Sequence, residues 1–230
     1  MQPANSSILD ALSYIEGLRV DKQVLAAMAR WPDVPDVFGW LSLTRQGKWR
    51  LHPNADALAH LARDSGPLPG EPITSHTILN FINKNYEGDA QGRWYFQNGP
   101  QRVFVRLDAA PHILHTVTDT QGTLGLHTHN GLNAAHVHEW LLADDGSLYA
   151  RTDQGPGIVN GRDLEAVLTL LTTKDDTNML DLLAHTPDAT GPFVITQGFH
   201  GDTHPAKTIL RRCPATDIAT ILGFQHNPQP

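Results

Sequence analysis

Cysteine is almost missing: a single one, Cys213, stands in 230 residues, so no internal disulfide can hold the chain. Long apolar runs are missing too. No stretch approaches the roughly 18 consecutive apolar residues that a membrane-crossing helix needs. Positive charge is scarce, with 17 Lys and Arg against 24 Asp and Glu, a formal net charge of −7. That balance argues against a nucleic-acid binder or an anionic-membrane binder, because both need clustered cations. The N-terminal segment has no basic patch leading into an apolar run, so the expected setting is soluble and cytoplasmic. No G-x-S-x-G elbow, phosphate loop or H-E-x-x-H string occurs. What remains is an ordinary globular composition, 40% hydrophobic, with 13 histidines as its one unusual count.

Hydrophobic periodicity orders the chain. Ile8, Leu9, Leu12, Ile15, Val24, Leu25 and Met28 recur at helical steps and predict helix over 6–30. Two prolines then stop it, and FGWLSLTRQGKWRL reads as a hairpin. A short helix is expected over 55–63, and the proline- and glycine-rich 65–72 marks a boundary. The predicted organisation is a small helix-helix-hairpin region over 1–70 and a sheet with flanking helices over 71–230. Ile78, Leu79, Phe81 and Ile82 predict another helix, after which the period falls to two. Six short strands follow within about sixty residues, with no helix between them, and parallel pairing needs long crossovers. The expected class is therefore α+β, built on an antiparallel meander, with helices at the N-terminus and after the meander over 162–172 and near 179–184.

Trp40-Leu41 with Trp49 echoes Trp140-Leu141 with Tyr149, each pair flanking a polar turn. Either duplication or the shared hairpin architecture accounts for it. The segment GRWYFQNGPQRVFVRL, 92–107, taken with FGWLSL and DDGSLYARTDQGPGIV, resembles a family of proteobacterial proteins of unknown function over residues 36–172. The resemblance implies a bacterial protein with no established reaction, and it carries no catalytic residue onto this chain.

Two sets of residues invite a functional reading. The hairpin residues Arg93, Trp94, Tyr95, Gln97, Asn98 and Arg102 have the aromatic and arginine composition of a recognition surface for a small molecule or protein partner. His127-Thr128-His129 and His136-Val137-His138 are two H-x-H units, and residues i and i+2 of a strand share a face. If an even-length loop sets the two strands side by side, the four imidazoles gather around a divalent metal, as in a hydrolase or oxygenase. The cupin pattern of H-x-H plus glutamate is not met, because Glu139 follows His138 directly. The loop His200-Gly201-Asp202-Thr203-His204 is a further ligand candidate, and glycine and Asx chemistry explains it equally as a turn. A non-catalytic binding protein and a histidine-dependent metalloprotein are the two expectations.

Overall fold

The computed structural model describes residues 22–31, 33–59, 69–199 and 207–230. The first part of the expected N-terminal helix, residues 60–68 and the histidine loop 200–204 lie outside the described residues. Helix α1 spans Lys22–Arg30. The first sheet takes β1 (Val37–Leu43), β2 (Trp49–Leu51), β3 (Glu71–Pro72), β4 (Tyr86–Gly88), β5 (Trp94–Asn98) and β6 (Gln101–Leu107), with α2 (His76–Lys84) between β3 and β4. Their order across the sheet is β3-β2-β1-β6-β5-β4. Strands from both sides of residue 70 thus share one sheet.

The second sheet takes β7 (His112–Thr118), β8 (Leu124–Thr128), β9 (Val137–Ala143), β10 (Leu148–Thr152), β11 (Gly155–Val159), β12 (Leu171–Thr173), β13 (Phe193–Gln197) and β14 (Lys207–Cys213). Helices α3 (Leu164–Leu170) and α4 (Met179–His185) precede and follow β12, and α5 (Ile218–Leu222) comes after β14. The order is β12-β13-β14-β9-β10-β11-β7-β8.

The class is mixed α and β, but the sheets are not a simple antiparallel meander. β1 with β6, β14 with β9, and β11 with β7 pair in parallel. Turn chemistry reports two hairpins correctly, since Asn98 pairs with Gln101 around Gly99-Pro100, and Leu142 with Leu148 around Asp144 to Gly146. It cannot report which hairpin lies beside which, and the parallel pairs are made there.

Read from the far edge, β11-β10-β9-β14-β13-β12 repeats β3-β2-β1-β6-β5-β4, strand for strand and with the same pairing senses. A helix precedes the outer strand in each half, α2 before β4 and α3 before β12. The topology is duplicated. The two turns also match: Gly47 N–H donates to Thr44 O as Gly146 N–H donates to Ala143 O, both glycines having positive φ. That match sets Trp140 against Leu41 rather than Trp40. Trp40 is 42% exposed while Trp140 is 0% exposed, as one step along a pleated strand requires.

The second sheet is buried on both faces at its central strands β9 and β10, and the alternation is legible in one strand. Leu141 packs with Leu43, Trp49, Tyr86, Trp94, Val105 and Leu107 of the first sheet, closed at one side by Ile218, Leu222 and Phe224. Trp140 and Leu142 face the other way, onto Val167, Leu168, Met179, Ile195 and Leu210 under α3 and α4.

Candidate functional site: an apolar groove on the first sheet

Helix α2 forms because apolar residues fall at 78, 79, 81 and 82, three and four apart around one side. Ser75 precedes it in extended conformation, and Asn85 ends it, its amide donating to Phe81 O at 2.8 Å. Ile82 is buried and Phe81 meets Phe96 edge to face, ring centroids 5.4 Å apart, which fixes the helix over β5. On the far side, β1 departs from its register with β6 between Val37 and Leu41. Gly39 makes that irregularity possible: its φ is +82°, and a Cβ there would stand 2.3 Å from the Ala55 carbonyl oxygen.

Helix and bulge together enclose a cavity of about 960 Å³, lined by β1, β2, β3, α2 and the β5–β6 hairpin. Val37, Leu41, Ile82, Phe96 and Val103 contribute its apolar lining. Trp40, Leu51, Ile78 and Phe81 line it too and are 42, 40, 50 and 39% exposed. These are four of the eight exposed large hydrophobic side chains among the described residues, and they converge on one concavity. Scattered apolar residues need no explanation, but a contiguous set does.

Of the predicted hairpin residues, Asn98 lines this groove, with its cross-strand partner Gln101. Trp94, Tyr95 and Gln97 are buried, and Arg93 and Arg102 are half-buried. Arg93 lies over the Phe104 ring at 4.5 Å and pairs with Asp89 at 2.8 Å, while Arg102 lies over Tyr95 at 4.9 Å. The Tyr95 hydroxyl donates to Glu87 at 2.6 Å, and burial followed by that carboxylate pushes the phenol well above its ordinary pKa. The composition that suggested a recognition surface is largely spent on contacts within the hairpin.

The four-histidine centre does not form. β8 and β9 are separated in the sheet by β10, β11 and β7, so the two H-x-H ribbons are not neighbours. His127 faces His115 across β7–β8, and His136 and His138 are exposed elsewhere. Among the described residues, no three His, Cys, Asp or Glu side chains come together in a metal-holding group. An even loop length is insufficient, because parity governs faces only when the strands it joins are paired.

His129 instead enters the seam between the sheets. Its ring lies 5.6 Å from Trp49, 5.9 Å from Tyr86 and 5.8 Å from His112, and His112 lies 4.9 Å from Trp94. The Ile113 N–H donates to His129 Nδ1 at 3.4 Å, so the neutral ring carries its proton on Nε2. Burial, then the neighbouring histidines, hold the His129 pKa well below its ordinary value. Gly47 of the first sheet fits against this ring only because it has no Cβ, which would come 2.8 Å from that of His129.

Another buried histidine, His52, escaped sequence reasoning. His52 Nε2 is 2.8 Å from Ser42 Oγ, and its Nδ1 is 3.3 Å from Asp56 Oδ1. A carboxylate only accepts, so Nδ1 holds the proton and Ser42 donates to Nε2. Burial and then the Arg106 charge lower the His52 pKa, against the pull of Asp56. The order of atoms is that of a hydrolytic triad. However, Ser42 is 0% exposed, so its hydroxyl is paired with a buried imidazole and out of reach of a substrate. The signal in the sequence was Ser42 alternating with Leu41 and Leu43, a polar residue inside an apolar strand.

No helix among the described residues is long and apolar enough to cross a membrane. No curated protein matches the chain. Two solved structures are similar. A DUF1285 family protein from Silicibacter pomeroyi DSS-3 is 13% identical, over 76% of this chain and 80% of that one, with a TM-score of 0.44. A DUF1285 family protein from Shewanella baltica OS155 is 15% identical, over 63% of this chain and 97% of that one, with a TM-score of 0.38. The match that covers nearly the whole chain is to a family, over residues 20–229, and the chain belongs to that family, described as a protein of unknown function (DUF2946).

Proposed function

We propose that this chain is a non-catalytic, cytoplasmic binding protein for a small, largely apolar molecule, which it takes in the groove between α2 and β1–β3, with Asn98 and Gln101 on its wall. The observation that carries this reading is the convergence of Trp40, Leu51, Ile78 and Phe81, all exposed, on one cavity of about 960 Å³. That size falls within the roughly 300–1,000 Å³ of small-molecule sites, which are concave and mostly apolar with a few polar groups. Asn98, Gln101, Thr74, Ser75, Thr77 and Glu71 supply the polar groups here. A nucleic acid finds no use for such a lining.

The neutral dye Nile red tests it. Saturable enhancement of dye emission is expected, and Ile78→Asn, at a half-exposed position, should weaken it by about tenfold or more, a lost apolar contact plus a buried amide. Unchanged dye binding in that variant, with an unchanged circular dichroism spectrum, would remove the groove as the site.

A further inference from the structure

The charges around the groove narrow the class of ligand. Among the described lining residues Glu71 is the one formally charged side chain, with neither Lys nor Arg beside it in that lining. Its position is set by pairing: Glu71 lies opposite Leu51 in the β2–β3 ladder, so the carboxylate stands beside one of the exposed apolar walls. A carboxylate or phosphate headgroup is ordinarily held by arginine or lysine. This groove offers such a headgroup a like charge instead, on a chain whose net charge is −7.

One feature opposes that reading. The first turn of α2, with Thr74, Ser75 and Thr77, also borders the groove, and Ser75 makes no side-chain capping bond, so this helix end favours an anion. The two influences differ in size. A helix N-terminus acts as roughly half a positive charge, and its effect fades within one turn. The carboxylate is a full negative charge on a mobile side chain that can follow the ligand's head. Glu71 therefore decides the sign.

Resting on the binding function proposed above, we infer that the ligand is a single-chain amphiphile with a cationic head, an alkylamine rather than a fatty acid, its ammonium on Glu71 and its chain along Leu51, Trp40, Ile78 and Phe81. Dodecylamine, dodecanol and laurate, each below its aggregation concentration, would be titrated into the intact chain by displacement of Nile red. Dodecylamine should bind about three- to fivefold more tightly than dodecanol at low salt, the size of a solvent-exposed ion pair, and laurate more weakly than either. Glu71→Gln should erase the difference between amine and alcohol while leaving dodecanol binding unchanged. Laurate binding as tightly as dodecylamine would overturn the inference and leave the groove standing. So would an amine preference that survives Glu71→Gln. If none of the three displaces the dye, or Ile78→Asn alters none of them, the groove itself is not the site.

Discussion

Acid should loosen the seam between the two sheets, and His129 sets the size of the effect. Its ring neighbours are Trp49, Tyr86 and His112, none of which bears a negative charge to receive a proton beside it. The folded chain therefore holds His129 neutral well below the ordinary histidine value of 6.5, while the unfolded chain protonates it there. Protons then favour the unfolded state. Stability from His129 is complete above that ordinary value and drains away as pH falls beneath it, by at most about 1.4 kcal/mol per pH unit. Between pH 6.5 and about pH 5 that slope bounds the loss below about 2 kcal/mol, against the roughly 5–15 kcal/mol that holds a domain. His52, also depressed by burial, adds in the same direction. Asp89 and Asp145, whose carboxyls are held below their ordinary value, lose their contribution only at lower pH and do not confuse this window. Urea unfolding would be followed by the emission of Trp49 and Trp94, which border the imidazoles. The His129→Gln variant should show a shallower dependence of stability on pH, whatever its absolute stability. An unchanged slope in that variant would show that the buried imidazole is not what links folding to protons.

Three further perturbations separate packing from surface. Trp140→Ala should cost about 3–5 kcal/mol, a fully buried ring removed, while Trp40→Ala should cost under about 1 kcal/mol; equal losses on urea unfolding would contradict the register that sets them on opposite faces. Gly39→Ala places a methyl group against the Ala55 carbonyl in a left-handed conformation, so a melting temperature lowered by several degrees is expected, and an unchanged one would refute the bulge geometry. Ser42→Ala leaves His52 Nε2 without its partner and should cost about 1–3 kcal/mol of unfolding free energy.

Local structure was legible wherever a turn or a period wrote it. The hairpins around Gly47, Gly99, Gly122 and Gly146 follow from glycine at positive φ between alternating strands, and the helix at Ile78 to Ile82 follows from its spacing. Strand β4 was hidden, because three residues directly after a helix carry no period of their own. Strand β11, GPGIV, was hidden as well, since the edge of β10 offers it a ladder that composition does not reveal. The groove was out of reach for a related reason. Its walls come from segments more than sixty residues apart, and nothing in Trp40 or Phe81 alone says that each stays exposed. The histidine pairs misled because spacing along the chain was asked to stand for neighbourhood across a sheet.

The duplicated topology explains why the open apolar face lies on the first sheet. In the second half, the face carrying Trp140, Ile195 and Leu210 is covered, because α4 packs with α3 and the β8 side contributes Leu126 and Ala134. Among the described residues the first half has no counterpart of α4: where that helix enters, it has only the turn from Asp89 to Arg93. It also lacks the extra pair of strands that β7 and β8 add beside β11. Its inner face therefore packs partly on the second sheet, through Leu43, Trp49 and Trp94, and along Leu41, Phe96 and Val103 it is covered by α2 alone, which leaves Leu51, Ile78 and Phe81 exposed at the groove. Exposing that surface costs stability and solubility, and the cost is avoidable, since the sister half closes the same kind of face with one short helix. On the proposed function, a ligand of apolar chain seated under α2 would do for the first repeat what α4 does for the second.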